Sequence, residues 1–415
     1  MTPHTRRIVA AGAIGNVLEW YDFAIYGYFA ASIGRTFFPQ TDHVAQVLAA
    51  FGVFAIGYLM RPLGGAVTGY IGDRFGRPTA LTVSVVAMAV PTFLVGALPG
   101  YQTLGIAAPI LLTLLRMIQG LSVGGECTTS FTFMIEYAAP GRRGLIGAVA
   151  SAGATLGILL GSATGAVLSA AMSTADLDSW GWRVPFLLGL VVGGAGFLLR
   201  RNISDDAPSA CSGSPIAEVL RHHGGLLARL AGLAAFGAVG FYLMFLYIVS
   251  WLQFIDGVSP AQALGINTAS MVAMIPVGLS AGWLSDRVGR KPVLLGAMAL
   301  ACASAVPLLW LMHHANPVLI LAGQMGFVLT ISTALAVQPA FMVEATPREV
   351  RCTAIAVGYN LTFGVMGGLT PLAATWLVHR TELDLSPAFM VMATAAISFA
   401  TVLLFKERQR SVAVV

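Results

Sequence analysis

Five charged side chains stand inside long apolar runs of this chain: Glu19, Asp22, Arg61, Arg116 and Glu126. A charge at mid-membrane costs at least about 2.5–3.5 kcal/mol on insertion scales, so such groups face a cavity or one another. Glu19 and Asp22 are three apart and share a helix face, with Tyr26 one turn further on. Counted from Ile8, they lie about 17–21 Å along a helix of 1.5 Å rise. Two close carboxylates in low dielectric do not both stay ionised comfortably, which suits a group that loads and unloads a proton. The plainer alternative is that one of them pairs with an arginine as a structural lock. Arg116 cannot shed its proton, and its planar fork needs a carboxylate. Substrate, Asp22 and Glu19 are the alternatives for that carboxylate, with Gln119 one turn along the same face. Glu126, about 15 Å further along at helical rise, is a second proton site or the partner of Arg61.

The runs of the C-terminal half hold no Asp, Glu, Lys or Arg away from their ends. Proton and charge chemistry is therefore expected in the N-terminal half, with aromatic and amide contacts from the other. Tyr242, Tyr247, Trp251, Asn267, Gln324, Gln338, Tyr359 and Asn360 are the candidates, although each also suits helix packing or an interfacial belt. Other chemistries find no support. His4, His43, His222, His223, His313, His314 and His379 make no metal pattern, and Cys127, Cys211, Cys302 and Cys352 have no metal or redox spacing. No Ser/His/Asp constellation falls within the runs, so an enzyme is not expected, nor any metal or cofactor beyond a coupling proton.

The elements that position these groups follow from composition. Hydrophobic residues make up 57% of 415, charged residues 10%, and the mean hydropathy is +0.81. A soluble chain of this size carries far more surface charge. A spanning helix needs about 20 apolar residues. Twelve such runs occur, roughly at 8–33, 44–70, 79–98, 104–137, 143–171, 183–200, 225–254, 261–284, 292–312, 316–343, 352–378 and 386–405. They are continuous and too long for the alternating strands of a β-barrel. Gly153, Gly157, Gly161 and Gly165 recur every four residues, a stripe that lets another helix approach closely.

The chain also repeats itself. Gly69–Arg77 reads G-Y-I-G-D-R-F-G-R and Gly282–Arg290 reads G-W-L-S-D-R-V-G-R, with the aspartates 213 residues apart. Phe133-Met134-Ile135-Glu136 and Phe341-Met342-Val343-Glu344 follow in matching order. This is the layout of two similar halves, 1–201 and 224–415, joined by a polar linker at 202–223 that contains Asp205, Asp206, Pro208 and Pro215. Eighteen of the 23 basic residues fall on one side of the runs, and only Arg35, Arg183 and Arg380 on the other. That bias predicts both termini in the cytoplasm, and it explains the net charge of +5 without nucleic acid. A cleavable leader is not expected, because the first run is too long for one and lacks a small-residue cleavage site.

The two Asp-Arg loops resemble the signature of the major facilitator superfamily, and the resemblance spans essentially the whole chain. Within it, Gly15-Asn16-Val17-Leu18-Glu19-Trp20-Tyr21-Asp22-Phe23, the stretch from Arg116 to Glu126, and Gly181-Trp182-Arg183-Val184-Pro185-Phe186 are similar to the metabolite:proton symporters. Members of that family take up α-ketoglutarate, citrate, shikimate, or proline and betaine, with protons. The resemblance implies an all-α polytopic membrane protein with twelve transmembrane helices in two pseudo-symmetric six-helix bundles. It also implies a cytoplasmic gate, in which Asp73, Arg74 and Arg77 join Glu136 and Arg142, and Asp286, Arg287, Arg290, Glu344 and Arg348 mirror them.

The expected function is proton-coupled import of a small organic carboxylate across the bacterial inner membrane by alternating access. Arg116, Gln119, Tyr26, Tyr242, Trp251, Gln324, Tyr359 and Asn360 would surround the substrate, and Glu19, Asp22 or Glu126 would carry the proton. The alternative cargo is a zwitterion such as proline or betaine, and the same scaffold also runs as an exporter. A ligand sensor would call for an added signalling domain. The expected partners are the small-molecule substrate and membrane lipid, with the monomer as the working unit. Osmosensory members carry a long C-terminal coiled coil; the tail after Lys406 is about ten residues, too short for one, so osmotic activation is not expected.

Overall fold

The structure is a computed structural model that describes residues 3–38, 43–200, 215–314 and 316–405. Every regular element among them is helical. The long helices of the first half are α1 (Pro3–Tyr28), α2 (Ala49–Phe75), α3 (Arg77–Ala97), α4 (Ala107–Glu136), α5 (Arg143–Ala171) and α6 (Val184–Arg200). Those of the second are α7 (Gly224–Phe254), α8 (Gln262–Val288), α9 (Arg290–Met312), α10 (Pro317–Ala345), α11 (Arg348–Thr381) and α12 (Pro387–Leu404). Each of the twelve apolar runs falls on one of them. Ten of the described helices, α2–α5 and α7–α12, are long and apolar enough to cross a membrane. Of the other two, α1 is 26 residues long and carries Glu19 and Asp22, and the described part of α6 is 17 residues long. Within the expected linker, 202–214 lies outside the described residues, as do Cys211 and the tail from Lys406; Pro215–His222 is a short helix.

Small residues decide where the helices meet. The glycine stripe of α5 receives α1: a β-carbon on Gly157 would stand 2.4 Å from the Val17 carbonyl oxygen, and one on Gly161 2.5 Å from the Ala24 β-carbon. Only glycine admits α1 at this distance. In the same way α4 lies against α2, where a β-carbon on Gly120 would stand 1.9 Å from the Gly57 oxygen and one on Gly124 2.0 Å from the Arg61 oxygen. These two seams gather α1, α2 and α4, and with them all five buried charges. Pro62 cannot donate to the helical ladder, and α2 breaks at Met60, just before Arg61.

Contacts between the halves follow the repeat. α2 packs on α11, and α5 packs on α8 and α10. The α2–α11 and α5–α8 seams are equivalent under the duplication. α7 and α11 each loosen into a π-helical turn, at Leu243–Tyr247 and Thr362–Gly367. Such turns recur where local packing overrides the regular ladder. Here the Tyr242 ring lies against Gly367, where a β-carbon would be 2.6 Å from it.

Candidate functional site

α1 separates two cavities. On one flank, a small cavity lies among α1, α3, α4 and α6 and is lined in part by Glu19, Asp22, Thr92, Ser122 and Glu126. On the other, a roomier cavity lies between the two halves. Positions four apart on α1, Asn16 and Trp20, face the second cavity, while Glu19 and Asp22 face the first.

Asp22 accepts three hydrogen bonds. Arg116 Nη1 donates to its Oδ2 at 2.7 Å, and Gln119 Nε2 and Thr92 Oγ1 donate to its Oδ1 at 2.9 and 2.8 Å. Arg116 Nη1 also donates to Gln119 Oε1 at 2.9 Å, and the guanidinium lies 4.1 Å from the centre of the Tyr26 ring. Arg116 and Asp22 are both 1% exposed. A buried pair of this kind holds because each charge meets its partner and further donors; losing one partner typically costs about 3–5 kcal/mol.

Glu19 and Arg61 are arranged differently. Glu19 is 1% exposed, and neither oxygen receives a hydrogen bond of ordinary geometry, although the Cys127 N–H lies nearby. Arg61 is 0% exposed and donates from Nε to Asn360 Oδ1 at 3.4 Å, while Nη1 and Nη2 find no acceptor. Its guanidinium faces the Tyr58 and Trp20 rings at 5.1 and 5.8 Å. Glu19 is the carboxylate that acts on Arg61, and Glu126 acts on Glu19 from α4.

The central cavity is aromatic. Trp20, Phe131, Phe241, Tyr359 and Phe363 line it, and no charged side chain among the described residues does. Its polar wall includes Asn16, whose Nδ2 donates to the Ala150 oxygen at 3.0 Å, and Gln338. The amide oxygens Asn16 Oδ1 and Gln338 Oε1 have no hydrogen-bond partner. Ring faces and carbonyl oxygens both attract cations. Away from the Asp-Arg loops the halves also touch through Tyr242, whose hydroxyl donates to that of Tyr58 at 2.6 Å.

At the loop end, each aspartate reaches the opposite half. Asp73 accepts the N–H groups of Cys352 and Thr353 at 3.1 and 2.8 Å, at the start of the α-helical part of α11. Asp286 accepts those of Gly144 and Leu145 at 2.8 and 2.9 Å, at the start of α5. A carboxylate at a helix N-terminus satisfies orphan donors and meets the positive end of the helix dipole. Arg77 joins Asp73 at 3.8 Å to Glu136 at 3.2 Å, and Arg290 joins Asp286 at 2.8 Å to Glu344 at 3.2 Å.

Several expected site residues are placed elsewhere. Arg142 and Arg348 are exposed, and neither side chain enters these networks. Arg351 does instead, donating to Glu136 Oε1 at 2.6 Å, because the residue just before the capped N–H groups points into the seam while Arg348 sits in the outer 3₁₀ turn. Arg74 lies over Tyr70 and Phe75, and Arg287 over Trp283. Arg116 and Gln119 are committed to Asp22 and stand outside the central cavity. Tyr26 is buried with its hydroxyl on the Ala50 oxygen at 3.0 Å. Trp251 donates to the Asp384 oxygen at 3.0 Å beside His313, and Gln324 to the Met244 oxygen at 3.1 Å and Asn267 at 3.0 Å. Asn360 ties α11 to the Gly124 carbonyl. Of the substrate-contact candidates only Tyr359 lines the cavity, joined by Gln338. Trp20, Asn16 and the three phenylalanines were not foreseen; the four-residue spacing of Asn16 and Trp20 beside the Glu19–Asp22 face was the available signal.

Comparison with known proteins places this geometry. A family model described as "Sugar (and other) transporter" matches residues 8–205, and one described as "Major Facilitator Superfamily" matches residues 230–414. The glycine betaine/proline/ectoine/pipecolic acid transporter of Dickeya dadantii is 34% identical, over 97% of this chain and 83% of that protein. The proline/betaine transporter of Salmonella typhimurium is 33% identical with the same coverage. Among solved structures, a proton:xylose symporter bound to 6-bromo-6-deoxy-D-glucose superposes with TM-score 0.77 at 17% identity, covering 96% of this chain and 94% of that one. A bacterial homologue of the iron transporter ferroportin, in an outward-facing state, gives 0.75 at 14% identity, covering 97% and 99%. These two likenesses concern the fold alone.

Proposed function

The chain belongs to the major facilitator superfamily, a multi-pass membrane transporter and not an enzyme, and we propose that it is a proton symporter for a small zwitterion of the proline and betaine kind. The single observation that carries this reading is the central cavity, with five rings, two unpartnered amide oxygens and no charged wall residue among the described residues. A di- or tricarboxylate would bring net negative charge into a chamber whose surface attracts cations. A zwitterion brings none, and its ammonium suits the rings at about 0.5–2 kcal/mol per contact. Arg116, the residue expected to hold a substrate carboxylate, is already held by Asp22. The names of the relatives favour the same cargo over an organic acid.

In this reading a buried carboxylate of the first half, Glu19, Asp22 or Glu126, carries the proton. The aspartate caps on α11 and α5 hold the cytoplasmic face closed while the other face exchanges with the outside, and both termini lie in the cytoplasm of a bacterial plasma membrane. The test is uptake into proteoliposomes under an imposed pH gradient, with labelled betaine and proline against α-ketoglutarate and citrate. Concentrative betaine or proline uptake that a protonophore abolishes is the expected result. Gradient-driven accumulation of the dicarboxylate, with no competition from betaine, would sink the proposal.

A further inference from the structure

We propose that Arg61 anchors the carboxylate of the substrate, and that Glu19 is its counter-charge in the empty protein and takes up the proton when the substrate arrives. This rests on the zwitterionic cargo argued above and assigns residues to it. The first half buries one ion pair, Asp22 with Arg116, and a looser couple, Glu19 and Arg61, which interact electrostatically with no direct bond between them. Asp22 accepts from Arg116, Gln119 and Thr92, and Arg116 gives Nη1 to both Asp22 and Gln119 while its Nε alone finds no acceptor, so a ligand carboxylate reaching its terminal nitrogen there would have to displace Asp22. Arg61 keeps two guanidinium nitrogens without an acceptor, and Glu19 keeps both oxygens without an ordinary donor, with each side chain almost fully buried. A planar fork with two open nitrogens matches a carboxylate in bidentate fashion.

The pair sits directly behind the cavity wall. Trp20, which lines the chamber, is one of the two rings that Arg61 faces, Tyr58 being the other, and the wall residues Cys127 and Tyr359 interact electrostatically with both Arg61 and Glu19. The groups around Glu19 are Arg61 from α2, Glu126 and Cys127 from α4, Asp22 on its own helix and Tyr359 from α11. Of these only Arg61 is cationic. When a substrate carboxylate engages Arg61, Glu19 loses the one cation beside it and keeps little more than the Cys127 N–H to balance its charge in low dielectric, so a proton neutralises it. The substrate ammonium meanwhile rests among the rings. Each zwitterion then moves with one added positive charge, so transport is electrogenic.

The probes are betaine and choline, which share a trimethylammonium head and differ in the carboxylate. Binding to the purified protein is followed by calorimetry, and transport in proteoliposomes. Wild type should prefer betaine. In Arg61→Gln, betaine should weaken by about 30-fold or more, the loss typical of a charge-assisted recognition pair, while choline is unchanged. Unchanged choline binding also reports an intact cavity. Arg61→Lys, which keeps the charge but not the fork, should weaken betaine about tenfold. Glu19→Gln should bind and exchange betaine without accumulating it under a pH gradient, and its affinity should no longer follow pH. Undiminished betaine preference in both Arg61 variants, or gradient-driven accumulation by Glu19→Gln, would overturn the assignment and leave the zwitterion reading standing. Wild type that binds neither probe nor proline would overturn both.

Discussion

Replacing Asp73 by alanine should open the loop face, and the structure sets the size of the effect. Asp73 accepts two N–H groups of α11, at 3.1 and 2.8 Å, across the seam between the halves. Hydrogen bonds to a charged group contribute about 1.5–3 kcal/mol each. Only the closed state gains them fully, since water replaces the carboxylate when the halves part. Losing both therefore weakens closure by about 3 kcal/mol, on the order of a hundredfold in the closed-to-open ratio. Cys352 is the reporter, because its N–H donates to Asp73 and its side chain is 1% exposed in the seam. In a background with Cys127, Cys211 and Cys302 replaced by alanine, maleimide should label Cys352 slowly in the parent and about a hundredfold faster in the variant. A local change beside Cys352 would give the same signal, so the decisive arm is Asp286→Ala. Asp286 caps α5 at the other seam, at 2.8 and 2.9 Å, and should speed Cys352 labelling to a similar degree. If Asp286→Ala leaves Cys352 as slow as in the parent, the two caps do not hold one closed face, and the reasoning is wrong.

Three further outcomes follow from the packing. Arg116→Ala leaves Asp22 buried without its cation and should cost about 3–5 kcal/mol, seen as a large fall in thermal unfolding temperature in detergent; Asp22→Asn combined with Arg116→Gln should restore much of it, and no restoration would argue against a charge-pair cause. Gly124→Ala would place a methyl 2.0 Å from the Arg61 oxygen and should abolish stable folding, whereas Gly52→Ala, with nothing within 4 Å, should leave the unfolding temperature within a degree or two of the parent, a contrast that one thermal scan decides. Tyr242→Phe removes one hydroxyl bond of 2.6 Å to Tyr58, worth about 1 kcal/mol, and should raise access to a Phe241→Cys reporter from the face opposite the Asp-Arg loops about fivefold; an unchanged rate would mean that this bond does not gate the cavity.

Much of this molecule is legible in order along the chain. Hydropathy is a running property, so each of the twelve runs falls on a helix, and the glycine period of α5 announces a close neighbour that α1 supplies. Repetition is equally direct, and Asp73 and Asp286 occupy matching seams because the two halves share one plan. The gate shows where such reading stops. The family resemblance put Arg348 in the gate as the counterpart of Arg142, yet Arg351 makes the ion pair, because a helix start within a few residues decides which side chain turns inward. The alternative cargo, a zwitterion, fits the cavity better than the expected organic acid, for a reason composition does not display: among the described residues the wall of the chamber has rings and amides but no fixed cation.

What the sequence determines by itself is therefore the inventory: an all-helical membrane protein, duplicated, with five charges committed to its interior and nearly all ionisable chemistry in one half. Which charge meets which is decided only in three dimensions. Asp22 and Glu19 share one face of α1 and both stand far from Arg116 along the chain, Asp22 by 94 residues, yet Asp22 is the one brought to 2.7 Å by the rotation of α1 in the α5 groove and the glycine seam of α4 on α2. The same packing turns Glu19 toward Arg61 and leaves both without a full set of partners. Electrostatic energy depends steeply on distance and burial, and neither is a property of the chain until the helices have closed on one another.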